Sequence, residues 1–198
     1  ADAYRGYDRL FKNPLIKEVG CWAHARRKFV ECEPTAKERC QKLLKLLSQL
    51  YAVEAQAKTP RQRLKARIGV SAKILQTIRL KLDAWSLEEL PESPLGKAMQ
   101  YCLGNWKALT RYLYDPYLDI DNNSMERLLR PLAIGRKNWM FTGSKDGGHS
   151  AAIIYTLVNS CKLNKVDPYV YFVDVITRLS KKDYADLSEL LPNSWRKK

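Results

Sequence analysis

At 198 residues and 45% hydrophobic, the chain is long enough to bury a core and too apolar to be a disordered polymer. Its 35 Lys and Arg against 21 acids leave a net charge of +14, which points to a polyanionic partner. No apolar run approaches the roughly 20 residues of a membrane span, and the first seven residues hold no apolar signal core.

The charge is unevenly spread. Residues 41–80 carry nine Lys and Arg and a single acid, Glu54, whereas residues 81–120 carry four bases and six acids. Such concentration fits a surface that neutralises phosphates; the alternative is a basic chain that is merely soluble. Five cysteines, at 21, 32, 40, 102 and 161, are odd in number and never spaced Cys-x-x-Cys, which argues for a reducing compartment such as the cytoplasm and against a disulfide framework. The first residue is Ala, not Met, so the chain reads as part of a longer polypeptide.

In chain order, Tyr4, Tyr7, Leu10 and Phe11 have the spacing of a short amphipathic helix, and Asn13-Pro14 marks a turn. Ile16–Trp22 predicts a short buried strand that runs into a helix beginning at Ala23-His24-Ala25-Arg26-Arg27-Lys28-Phe29. From Thr35 to about Leu113 the pattern is helical: Leu43, Leu46, Leu47, Leu50 and Val53 form one stripe. Pro60 opens a second helix with an irregularity at Gly69, and Ser93-Pro94 caps a third. These stripes read as core packing. Asp115-Pro116 ends the block, and a short extended Tyr117–Ile120 precedes a helix from about Asn123 to Ala133. Trp139-Met140-Phe141 predicts a small strand, Gly147-Gly148 a flexible turn, and Ser150–Leu163 a helix. Asp167-Pro168 caps a last helix, and the basic end is anchored by Leu190, Leu191 and Trp195.

The most informative stretch is 121–139, Asp-Asn-Asn-Ser-Met-Glu-Arg-Leu-Leu-Arg-Pro-Leu-Ala-Ile-Gly-Arg-Lys-Asn-Trp. One carboxylate, Glu126, opens an amphipathic helix, with Arg127, Arg130, Arg136 and Lys137 after it. A plain reading is a capping box between Asn123 and Glu126, or an i,i+4 pair of Glu126 with Arg130. A functional reading is a metal-bound acid beside a phosphate backbone, which needs a second carboxylate elsewhere.

Three segments in order, Gly20-Cys21-Trp22-Ala23-His24-Ala25-Arg26-Arg27-Lys28-Phe29, Ile120-Asp121-Asn122-Asn123-Ser124-Met125-Glu126-Arg127 and Gly135-Arg136-Lys137-Asn138-Trp139, make the chain resemble the transposases of the insertion sequence 66 family. The resemblance runs from Ala1-Asp2-Ala3-Tyr4 to the Leu-Leu-Pro-x-x-Trp ending. It implies an Asp-Asp-Glu transposase of bacterial origin, associated with DNA in the cytoplasm. The implied fold class is α/β, mostly helical: a partial ribonuclease-H-like fold with its first strands missing and an all-α insertion. The implied domains are 1–34 as part of the catalytic core, 35–114 as the insertion, 115–145 as the core segment with the Glu126 helix, and 146–198 as a C-terminal helical region.

The resemblance maps Asp2 and Glu126 onto catalytic, metal-binding acids, with two Mg²⁺ ions (Mn²⁺ as the substitute) as cofactors. The first catalytic aspartate is expected upstream of Ala1. Ala3 stands where the family usually has Gly, a change expected to cost little. Cys21 and His24, with Asn122 and Asn123, are expected to support the active-site edge; a zinc half-site is the alternative for the Cys-x-x-His pair. Arg127, Arg130, Arg136 and Lys137 are expected on phosphates. Arg26, Arg27 and Lys28 either touch the backbone or form a solvated face. Trp139 either stacks on a base or packs in the core. Arg61 with Lys65, and Arg63 with Arg67, are like-charge i,i+4 pairs whose repulsion bound DNA would offset.

The expected partners are transposon-end and target DNA, further copies of the chain on DNA, and accessory proteins of the same element, with no membrane. The expected function is hydrolysis and strand transfer by a catalytic-domain fragment, completed by the missing N-terminal part. A non-catalytic DNA-binding remnant is the alternative, and a helical structural protein whose acids only cap helices is a third class.

Overall fold

The computed structural model describes residues 2–139 and 142–196. Among them all regular structure is helical and no strand forms, which overturns the expected α/β, partly ribonuclease-H-like fold. The physical reason is visible in residues 16–21, which have no regular structure. Cys21 is extended (φ −109°, ψ 114°). The N–H of Gly20 donates to the Ala108 carbonyl (2.9 Å) and that of Trp22 to the Ile120 carbonyl (3.1 Å). Those acceptors lie on a helix and in a bend, so no second strand completes a ladder. Gly20 permits this approach, because a Cβ there would sit 2.9 Å from the Leu109 nitrogen. Trp139 ends a helix instead of opening a strand; Met140 and Phe141 lie outside the described residues.

The chain forms two compact units, 1–124 and 125–198. The first holds α1 (Trp22–Cys32), α2 (Lys37–Gln56), α3 (Pro60–Ala66), α4 (Ala72–Ser86), α5 (Pro94–Gly104) and α6 (Trp106–Thr110). Thr59 and Gln62 form a capping box around Pro60, and Ser93 accepts from the Gly96 N–H ahead of α5, so both helices start where the sequence signals them. Leu43, Leu47 and Leu50 of α2 meet Leu75, Ile78 and Leu82 of α4, Leu95 and Met99 of α5, and Trp22 and Phe29 of α1 in one core. Each such side chain contributes about 1.5–3 kcal/mol through burial. The Trp22 indole N–H also donates to the Leu109 carbonyl at 2.8 Å. Residues 2–12 form two 3₁₀ turns, not the expected helix, because Tyr4, Tyr7 and Leu10 face solvent and find no core.

The second unit holds most of α7 (Asn123–Trp139), with α8 (Lys145–Leu163) and α9 (Pro168–Lys181). Ser144 caps α8 by accepting from the Gly147 N–H, which places Gly147 and Gly148 in the first helical turn instead of a loose one. Asp167 caps α9 ahead of Pro168. Tyr171, Val175, Cys161 and Leu190 make a small core. Trp195 closes it, its ring 5.8 Å from that of Tyr171 and its N–H on Asp174 at 2.8 Å. Pro131 lies inside α7 and removes one helical donor. In the preceding turn the Leu128 carbonyl accepts from Asn159 Nδ2 at 3.1 Å. Leu128, Leu129 and Leu132 of α7 and Ala151 and Tyr155 of α8 line a half-open groove of about 430 Å³.

Candidate functional site

The start of α7 is held by Asp121. Its carboxylate accepts from the Asn123 N–H (3.0 Å), from Asn123 Nδ2 (2.9 Å) and from the Tyr51 hydroxyl of α2 (2.9 Å). Beside it the Asn122 N–H points at the buried Cys21 sulfur, 3.5 Å away. Burial, and then the Asp121 carboxylate it serves, push the Tyr51 phenol well above its ordinary value, so it stays a donor at neutral pH. Residues 120–123 are thereby held against Cys21, the start of α1 and α2. His24 is partly buried on α1. Among the described residues no three metal-ligating side chains gather, so Cys21 and His24 are not joined there into a complete zinc site.

On α7 the helical period puts Glu126, Arg130 and Lys137 on one face, with Arg127 at its margin. Met125, Leu128, Leu129 and Leu132 line the groove on the other side. Glu126 is partly buried, whereas Arg127, Arg130, Arg136 and Lys137 are exposed. Asp2, in the first unit, is exposed; its Oδ1 accepts from the Tyr4 N–H at 3.2 Å. Ala3 next to it has φ +62°. That is a left-handed conformation costing a non-glycine residue about 1–2 kcal/mol, so the Ala is less cheap here than its size implies.

The basic stretch divides. Arg26, Arg27, Arg61 and Lys65 are exposed. Arg67 is not: it is 0% exposed, at the first position of a π turn, Arg67–Ser71, that joins α3 to α4. Its Nε and Nη2 bond Glu54 at 2.9 and 2.7 Å. Nη1 bonds the carbonyls of Tyr112 (2.8 Å) and Asp115 (2.6 Å), and Nη2 also bonds that of Leu118 (2.8 Å). All five guanidinium donors are used inside the fold, which leaves none for a phosphate. Arg63 reaches the Pro116 carbonyl (3.0 Å) and lies 3.8 Å from Glu54. Within the fold, the repulsion between Arg63 and Arg67 is offset by Glu54, the one acid of the stretch.

Tyr51, Asp121 and Glu54 are the residues that sequence reasoning left without a role. Asp121 carried a signal, an Asp two residues before the helix start, which is the spacing of an Asx turn. Tyr51 carried none, since it meets Asp121 across 70 positions of chain.

The description "Transposase IS66 family" matches residues 1–150, and "IS66 C-terminal element" matches residues 156–193. Similar curated proteins come from Sinorhizobium fredii. The uncharacterized protein y4jD is 33% identical over 98% of this chain and 40% of its own length. The uncharacterized protein y4hP is 29% identical over 100% of this chain and 39% of its own length. The uncharacterized protein y4qI is 33% identical over 91% of this chain and 35% of its own length. The chain thus spans about two-fifths of the length of these relatives. No solved structure matches it.

Proposed function

Because the chain belongs to the IS66 transposase family, we propose that it forms part of a DNA transposase that cuts and joins phosphodiester bonds, with Asp2 and Glu126 among its metal-binding acids. The observation that carries the reading is the cationic face of α7, where Glu126 stands with exposed Arg130 and Lys137, and Arg127 at the margin. A carboxylate set among cations is poorly suited to bind DNA by itself, yet well suited to hold a cation against a phosphate.

The donor chemistry fits Mg²⁺, which takes one or two carboxylates and completes its shell with waters and phosphate oxygens. The first catalytic aspartate, expected upstream of Ala1, and the phosphate oxygens of DNA would supply the rest of the coordination. When bound, a pair of such ions supplies activation of the attacking oxygen and stabilisation of the leaving one. The chain's own contribution is positional. Asp121 and Tyr51 anchor the start of α7, Glu126 offers hard oxygens one turn later, and the α7 cations hold the DNA backbone without reading bases.

The test is Glu126→Gln in the full-length protein. Mg²⁺-dependent cleavage of transposon-end DNA is expected to fall by about 10²–10³-fold, the scale of removing one electrostatic group from a reacting centre, while DNA affinity stays within about twofold. Retained cleavage would remove Glu126 from the site. Salt-sensitive binding with no metal-dependent cleavage in the wild type would instead leave a DNA-binding remnant.

A further inference from the structure

We infer that the pocket between residues 16–18 and the helical run 107–111 seats a phosphate of the DNA backbone, an inference that rests on the DNA reading above and adds to it a contact within the first unit. The pocket encloses about 290 Å³. Lys17, Lys107 and Arg111 line it, with Glu18 as the one acid of the lining and Phe11 and Ile16 as an apolar wall. Lys107 and Arg111 stand four positions apart where α6 runs on into the 3₁₀ turn Arg111–Tyr114, so they share a helical face. Lys17 arrives from another part of the chain. The bond from the Gly20 N–H to the Ala108 carbonyl, 2.9 Å, holds that segment against α6 and brings the third cation to the other two. Lys17 and Lys107 are exposed and Arg111 is half-buried.

These three cations differ from their neighbours in having no carboxylate partner. Arg39 bonds Glu88 and Glu89, Lys42 bonds Glu38, Arg79 bonds Asp83, Lys97 bonds Glu92, and Arg63 and Arg67 share Glu54. Among the described residues no ion pair joins Lys17, Lys107 or Arg111 to an acid, Glu18 included. The stretch 81–120 holds six acids to four bases, yet Asp83, Glu88, Glu89 and Glu92 are engaged by other cations. The sign of the charge at this pocket is therefore the reverse of that of the stretch. Like charges on one helical face repel. A phosphate between them removes that repulsion and accepts from their ammonium and guanidinium groups. A bare inorganic anion would leave Phe11 and Ile16 facing water, whereas a backbone phosphate brings its deoxyribose to them.

The experiment titrates a fluorescein-labelled duplex with this chain over a salt series. A Lys17→Gln, Lys107→Gln variant is compared with a Lys42→Gln, Lys97→Gln variant, which removes the same charge from ion-paired lysines. All four side chains are exposed, so neither change reaches the core. The pocket variant is expected to bind about eightfold more weakly at about 0.1 M salt, with a log–log salt slope shallower by about 0.9, the share of one backbone phosphate. The control is expected to stay within about twofold at the wild-type slope. Arg111→Gln should match the pocket variant and Arg111→Lys should stay near the wild type, which separates the charge from the packing of the side chain. Equal losses in the two double variants, or a wild-type slope in the pocket variant, overturn the inference and leave the DNA reading standing. Inorganic phosphate whose phosphorus NMR line broadens with the wild type and not with the pocket variant, while both bind DNA alike, would give the seat to a free anion and overturn its place on DNA. A wild type that binds no duplex sinks both readings together.

Discussion

Arg67 shows how far a single residue departs from its charge. In the sequence it is one more cation in an acid-poor stretch; in the fold it is a buried connector with every donor engaged. Its partner Glu54 has a side chain only 14% exposed, so removing the guanidinium strands a carboxylate and three carbonyls. Arg67→Met is expected to cost about 3–5 kcal/mol in urea unfolding, the scale of breaking a buried ion pair from one side. Arg67→Lys keeps the charge but offers three donors for five acceptors and should recover only part. A loss below about 1 kcal/mol in Arg67→Met would mean that water replaces the guanidinium freely. Helical spacing did place Arg63 and Arg67 on one face. Which face turns inward was illegible, because it depends on Glu54 of another helix.

Among the elements, helix starts were legible and strands were not. Thr59-Pro60, Ser93-Pro94 and Asp167-Pro168 each carry a side-chain acceptor followed by a residue preset for the first turn, and each opens a helix. The irregularity expected at Gly69 is present as the π turn Arg67–Ser71, which sets Arg67 and Ser71 both into the interior. A Cβ at Gly69 would meet nothing within 4 Å, and its φ is not left-handed. Gly69→Ala is therefore expected to stabilise the chain by about 0.5–1 kcal/mol, measured as a higher urea midpoint at constant slope. A destabilised variant would show that the π turn needs glycine's freedom. Residues 16–21 misled because an apolar run of that length fits a strand by pattern alone, while a strand exists only by pairing.

At the scale of the molecule, one larger and one thinner core hold the two units. Among the described residues no helix is long and apolar enough to cross a membrane. The first unit packs its cysteines as small apolar residues, and burial pushes the Cys40 and Cys102 thiols from 9.0 to about 12. The sign follows from linkage. Above pH 9 unfolded thiols lose their protons while folded ones keep them, so the stability present below pH 9 is lost as pH rises towards 12. Under reducing conditions the melting temperature should start to fall above about pH 9, before tyrosines near pH 10 contribute. The Cys40→Ala, Cys102→Ala variant should be less stable but flatter over that interval. An unchanged slope would assign the alkaline loss to other groups.

By itself the sequence determined the helical caps and stripes, the basic balance, and the three motifs that mark the family, since these depend on neighbours a few positions apart. Tertiary structure alone decided that Gly20 and Trp22 bond a helix and a bend, that Arg67 is buried while Arg61 and Lys65 stay out, and that Tyr51 steadies Asp121. Each of those outcomes turns on a partner more than ten positions away, and periodicity within one element carries no information about it.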